Sequence, residues 1–299
     1  MSKESQITRR TLLSAGGSSA LAYPLRGFAR SLDEPNAAAA KVEKDVVIGK
    51  GGTTDLHVDI YRPPAGTEKR MALIHLHGGG FARGNRGMLG PQIVPIAARG
   101  YLSLAAQYRL SGEAKWPAQS EDVKTAIRWT RNNAAMLGID PKRIGVVGHS
   151  AGGHLALFAA GAADTQLAAC VAFYPVAEIT KDTPGAAALM PAGADEEAMR
   201  AASPTTYIKT GYPPTIVFHG LADVTVSPDS SLHLLQLFRG AGVPAELHTF
   251  AGVPHEFDGH PEFADSCAAL TDFFLDRYVL NPRTYPPFTP GGAPRTPAA

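Results

Sequence analysis

Short runs of apolar residues with little polar alternation recur from residue 72 onward: Ala72 to His77, Tyr101 to Ala105, Arg143 to Gly148, Leu167 to Tyr174, Thr215 to His219 and Glu246 to Phe250. Runs apolar on both faces predict strands of a sheet that is covered on both sides. Between them the polarity repeats with a helical period. Gln119 to Leu137 carries Val123, Ile127, Thr130, Ala134 and Leu137 on one stripe, with Ser120 as the expected N-cap, Glu121 and Asp122 in the first turn, and Gly138 and Pro141 as the stop. His154 to Ala160 is a further helical run. Asp229 to Arg239 follows, with Leu232, Leu235 and Phe238 inward and Gly240 closing it, and the last helix runs from Pro261 to about Val279 through Phe263, Cys267, Leu270 and Phe274. Residues 43 to 62 fit an antiparallel pair ahead of this series, with Gly49, Gly51 and Gly52 at its turn.

Strand and helix in alternation imply right-handed crossovers, hence an α/β fold with a mostly parallel central sheet and helices on both faces. Val176 to Pro214 breaks the rhythm with five prolines and one plausible helix, Glu196 to Ala202. That stretch reads as a small cap inserted after a strand and placed over the site. The expected organisation is a leader and linker over 1–40, one domain over 41–280 with the cap at 176–214, and a Pro/Gly-rich tail over 281–299.

Composition narrows the partners. At 299 residues, 44% hydrophobic and 18% charged, the chain is globular, and 28 Lys and Arg against 27 Asp and Glu leave a net charge of +1. No global field is available to attract nucleic acid or an anionic membrane. Thr8-Arg9-Arg10-Thr11-Leu12-Leu13 and the Gly/Ser/Ala-rich stretch to Ala22 resemble a twin-arginine export signal, with Thr8 where Ser is usual and Leu12 where Phe is usual. A periplasmic or secreted protein is the expectation. No other run approaches the roughly 18 apolar residues of a membrane span. Cys170 and Cys267 lie in apolar periodic segments, which favours two buried thiols over a disulfide.

The chemistry concentrates where predicted strands end. Gly148-His149-Ser150-Ala151-Gly152-Gly153 joins the strand Ile144 to Val147 to the helical run that follows, so Ser150 sits at a strand-to-helix corner of the nucleophile-elbow pattern. Glycines two before and two after the serine let neighbouring backbone approach closely. His77-Gly78-Gly79-Gly80-Phe81 follows another strand directly. It is a loop able to cradle an anion, yet neither nucleotide phosphate motif, G-x-x-x-x-G-K-[ST] or G-x-G-x-x-G, exists in the chain. A serine nucleophile needs a base and a carboxylate, expected in the order Ser, Asp, His. Asp223 lies on the loop after the strand Thr215 to Phe218, and His255 on the loop after Glu246 to Phe250. Their rivals are weaker: Asp229 begins a helix, Asp258 shares the loop of its partner, His248 lies inside a strand, and His260 is five residues beyond His255. His75 and His77 lack a third ligand, and the zinc motif H-E-x-x-H is absent, so a metal hydrolase is disfavoured.

Taken together, HGGGF, GHSAGG, HGLADVTV and GVPHEF, with WPAQSEDVKTAIRWTRNNAAMLGIDPKRIGVVGHSAGGHLAL, resemble the α/β-hydrolase superfamily, specifically small esterases related to the hormone-sensitive-lipase and feruloyl or acetylxylan esterase groups. The resemblance covers about residues 43 to 280. Gln107 stands where many relatives have Asp, and His149 where hormone-sensitive-lipase relatives have Asp, which moves the likeness toward the feruloyl and acetylxylan side. It implies Ser150 as nucleophile, His255 as base, Asp223 as the carboxylate, and the N–H groups of Gly79, Gly80 and Ala151 as the oxyanion hole. Phe81 and His149 are the flanking candidates for contact with substrate. The implied substrate is a short-chain or aryl ester, carbohydrate-linked esters included, with no metal or organic cofactor. A peptidase or amidase on the same fold and a non-catalytic binding protein are the alternatives.

Overall fold

The computed structural model describes residues 41–285; the arginine-pair segment and the tail beyond Tyr285 lie outside the described residues. The strands are β1 (Lys41–Gly51), β2 (Thr54–Arg62), β3 (Ala72–Leu76), β4 (Leu102–Ala106), β5 (Ile144–His149), β6 (Ala169–Phe173), β7 (Thr215–Gly220) and β8 (Ala245–Phe250). They form one eight-stranded sheet in the order β1-β2-β4-β3-β5-β6-β7-β8. The β1-β2 and β2-β4 pairs are antiparallel and all others parallel. Every residue of β3 to β7 is buried, as unalternating apolar runs require.

The helices are α1 (Gly90–Ala97), α2 (Ala118–Asn132), α3 (Ala134–Leu137), α4 (Ala151–Gly161), α5 (Ala186–Leu189), α6 (Glu196–Ala202), α7 (Asp229–Gly240) and α8 (Pro261–Leu275). Strand pleating divides the core. Ile74, Leu76 and Val146 point to one side with Val123, Ile127, Leu155 and Phe238 of α2, α4 and α7. Leu73 and Val147 point to the other, with Ile96 of α1 and Phe274 of α8.

Several local expectations change. The predicted helix from Gln119 starts at Ala118 behind Pro117, so Ser120 is not the N-cap; its hydroxyl donates to the Pro117 carbonyl at 3.2 Å. The same helix is interrupted at Asn133, whose side-chain amide donates to the Trp129 carbonyl. Gly49 lies inside β1 at a register shift, leaving Gly51 and Gly52 to make the turn. In α7 the buried positions are Ser231, Leu234 and Phe238, while Leu232 is exposed. This phase buries Leu234 and Phe238 in the core and sets the Ser231 hydroxyl 2.7 Å from His219 Nδ1. Helix α1 was hidden by Gly90, Pro91 and Pro95. Cys170 and Cys267 are both free and buried. Among the described residues no helix is long and apolar enough to cross a membrane.

The segment after β4 is anchored by one ion pair. The Arg109 guanidinium donates to both oxygens of Asp122, whose side chain is 1% exposed, and the Arg109 N–H donates to the same carboxylate. From there Ser111 N–H donates to the Phe81 carbonyl at 2.8 Å, so this pair also supports the glycine-rich loop after β3. Removing one partner strands a buried charge. Asp122→Ala is therefore expected to destabilise the protein by about 3 kcal/mol, read from urea unfolding.

Candidate active site

Ser150 occupies the one residue between β5 and α4 with φ 54° and ψ −115°, a left-handed conformation that holds its side chain at the corner. Its N–H donates to the Phe173 carbonyl of β6 at 2.9 Å. The turn closes only because residue 152 has no side chain: a Cβ there would lie 2.2 Å from the Leu76 carbonyl oxygen and 2.5 Å from that of His77. This packs the start of α4, with its free N–H groups, against the end of β3.

His255 and Asp223 arrive from the loops after β8 and β7. His255 Nε2 is 2.9 Å from Ser150 Oγ, and His255 Nδ1 is 2.6 Å from Asp223 Oδ2. The other Asp223 oxygen accepts the N–H groups of Thr225 at 2.8 Å and Val226 at 2.9 Å. Burial alone would raise the Asp223 carboxyl, but the Val226 N–H, His255 and the Thr225 N–H outweigh it and hold the group below its ordinary value. The carboxylate thus stays ionised beside the ring.

A further residue stands behind it. His219 Nε2 lies 3.2 Å from Asp223 Oδ2 and 3.0 Å from the Val226 carbonyl, while its Nδ1 is 2.7 Å from Ser231 Oγ. Burial pushes this histidine below its ordinary value, so it is neutral. Two acceptors around Nε2 assign the proton there, leaving Nδ1 to accept from the serine hydroxyl. Sequence reasoning missed His219, although its spacing of four from Asp223 in HGLAD was visible.

The loop after β3 lies against the serine. A Cβ on Gly78 would be 3.3 Å from Ser150 Cβ. Gly79 has φ +117° and would place a Cβ 2.2 Å from the Arg83 carbonyl oxygen, so only glycine fits. Its carbonyl accepts from Ala82 and Arg83 N–H, while no protein acceptor takes the N–H of Gly79, Gly80 or Ala151 among the described residues. His77 fixes the loop's origin: its ring stacks on Tyr108 at 4.4 Å, its Nδ1 is 2.7 Å from the Gly78 carbonyl, and Tyr108 Oη donates to its own carbonyl.

Ser150, Asp223, His255 and the three amide-bearing residues are therefore brought together, and Phe81 and His149 are not. Phe81 is fully buried in the core, edge-on to His154. His149 has the same parity as Val147 along β5, so its ring points to the α1/α8 face and stacks on Phe173 at 4.7 Å. Neither side chain can present itself to a substrate, which corrects that expectation. The rivals are occupied elsewhere: Asp229 opens α7, His248 pairs with Glu246 in β8, His260 is exposed ahead of α8, and Asp258 is buried against His149. The 176–214 segment reaches the site at Gly185, where a Cβ would lie 2.8 Å from the Gly80 carbonyl oxygen. Among the described residues no group of three or more His, Cys, Asp or Glu is placed to hold a metal ion.

Residues 58–238 match the BD-FAE family. The chain belongs to it. Esterase LipQ of Mycobacterium tuberculosis is 32% identical over 256 residues, covering 75% of this chain and 59% of that protein. An ethyl acetate hydrolase of Pseudomonas putida is 34% identical over 186 residues, covering 56% and 58%. This BD-FAE chain thus spans about three fifths of the length of these two relatives. Among solved structures, a thermophilic esterase of Thermogutta terrifontis superposes with a TM-score of 0.69 at 32% identity, over 82% of this chain and 95% of that one. Family and superposition together assign the α/β-hydrolase fold of esterases.

The close approach at the elbow gives a direct check. Gly152→Ala is expected to lower stability by more than about 3 kcal/mol, because the intruding methyl meets two backbone carbonyls that cannot rotate away. Thermal unfolding midpoints of the two proteins measure it.

Proposed function

We propose that this BD-FAE protein is a carboxylic-ester hydrolase with Ser150 as nucleophile, His255 as general base and acid, and Asp223 as the orienting carboxylate. The observation that carries the reading is the continuous contact from Ser150 Oγ through both nitrogens of His255 to Asp223. As Ser150 Oγ bonds to the ester carbonyl carbon, its proton passes to His255 Nε2. The negative oxygen so formed lies toward the N–H groups of Gly79, Gly80 and Ala151, and Asp223 balances the imidazolium. The carbon–oxygen bond to the alcohol then breaks, and His255 returns the proton to the departing oxygen. Water, deprotonated by His255, next attacks the acyl-serine, releasing the carboxylic acid and restoring Ser150.

Short acyl groups fit this reading best. The Thermogutta terrifontis esterase is described in propionate-bound and butyrate-bound forms, and the Pseudomonas putida relative is named for ethyl acetate. Aryl and carbohydrate-linked esters share the same reacting carbonyl, and only their alcohol differs.

Ser150→Ala is expected to lower kcat on the order of a millionfold, and Asp223→Asn about ten-thousandfold, because an amide there favours the wrong tautomer of His255. Steady-state hydrolysis of para-nitrophenyl acetate measures both; a Ser150→Ala protein with parental turnover rejects the assignment. Across para-nitrophenyl esters of rising chain length, kcat/KM is expected to peak at acetate to butyrate. The matching anilides are expected to react far more slowly, whereas preferential anilide cleavage would favour an amidase.

A further inference from the structure

The residue beside the serine carries a histidine whose ring faces away from the site. His149 Nδ1 lies 2.6 Å from Asp258 Oδ2, with side-chain exposures of 5% and 1%. The approach is close but oblique, and both atoms are without an aligned hydrogen bond. The other Asp258 oxygen accepts the hydroxyl of Tyr174. The Tyr174 ring packs 4.4 Å from the ring of His255, and Asp258 itself is three residues past His255 on the same loop. One buried carboxylate therefore touches the residue preceding the nucleophile, the aromatic ring against the base, and the loop that carries the base.

Two further observations set this cluster apart from ordinary core. Its surroundings are mostly apolar: Ile96, Val171, Ala264 and Ala268, with Gln92 and Thr271 as the other polar side chains, line a cavity of about 20 Å³ that His149 and Asp258 share with His75. Burying ionisable groups there is costly unless they act on one another, and nothing in sheet packing requires it. Burial also pushes His75 well below its ordinary value, so it adds no charge of its own. Second, three non-glycine residues with left-handed backbone border the cluster: Ser150 at φ 54°, Tyr174 at φ 36° and Glu256 at φ 59°. Such conformations persist where their surroundings over-determine them. Asp258 has contacts next to all three.

We propose that Asp258, together with His149 and Tyr174, positions the base: the buried carboxylate ties the serine elbow to the His255 loop and sets the distance from His255 Nε2 to Ser150 Oγ. None of the three touches substrate. They act through His255, and the inference rests on the catalytic reading given above.

The test compares parent, Asp258→Asn, His149→Phe, the double variant and His149→Asn, with para-nitrophenyl acetate as substrate and thermal midpoints measured in parallel. Asp258→Asn keeps an acceptor for Tyr174 but loses the charge; His149→Phe keeps the stacking on Phe173 but loses the nitrogens. Each is expected to lower kcat about 10- to 100-fold, as a displaced reacting pair does, with KM within about twofold. The double variant should be no slower than the slower single, because both break one contact. His149→Asn, which restores a donor near the position of Nδ1, should recover most of the loss. Parental kcat in both singles, including the case where only the midpoint falls, overturns the proposal, as do losses that multiply. If Asp258→Asn does not fold, Tyr174→Phe decides: a fall in kcat at constant KM supports the role, and parental kcat rejects it. Ser150→Ala is run alongside. Hydrolysis surviving in it rejects the catalytic reading itself, whereas an inactive Ser150→Ala beside unaffected Asp258 and His149 variants rejects the positioning role alone.

Discussion

Everything at this site depends on the close approach of residues 148–152 to the end of β3. A serine held at φ 54° is strained, and strain of that kind costs about 1–3 kcal/mol and persists only where the surroundings impose it. They do so through backbone: the Gly152 position abuts the carbonyls of Leu76 and His77 at the end of β3, and the Ser150 N–H is tied to β6. From this one constraint follow the sharp corner that sets Oγ beside His255, the placement of the N-terminus of α4, and the close approach of Gly78 to the serine.

The parallel sheet does the rest of the assembly. β3, β5, β7 and β8 run in one direction, so the loops after their carboxyl ends emerge along one edge, where crevices of open α/β sheets lie. Those loops carry the glycine run, Ser150, Asp223 and His255. Residues 73 and 32 positions apart in the chain meet because the crossovers return each strand to the same edge. The polar groups around Asp223 are satisfied in depth. Asp223 takes two backbone N–H groups besides His255, and His219 is itself held by Ser231.

The parts legible in sequence were those written in local pattern. Unalternating apolar runs announced β3 to β7, and the glycines around Ser150 announced the turn. What escaped depended on tertiary partners. The phase of α7 buries Leu234 and Phe238 together with Ser231, whose partner His219 no helical periodicity records. Helix α1 carries two prolines and a glycine, so its intrinsic propensity argues against it, and packing against α8 overrides that. His149 was misread as facing substrate although strand parity with Val147 already sent it to the opposite face. Its role emerges only with Asp258, more than a hundred residues away in sequence.

With Ser150 as nucleophile, turnover passes through a covalent acyl-serine while His255 and Asp223 move and balance the proton. Rapid-quench mass spectrometry during turnover of para-nitrophenyl acetate measures this most directly. An acetyl group is expected on the peptide containing Ser150, appearing with a burst of nitrophenol and decaying as acetate is released. Full turnover with no acetylated peptide, or with the acetyl group on another residue, would contradict it.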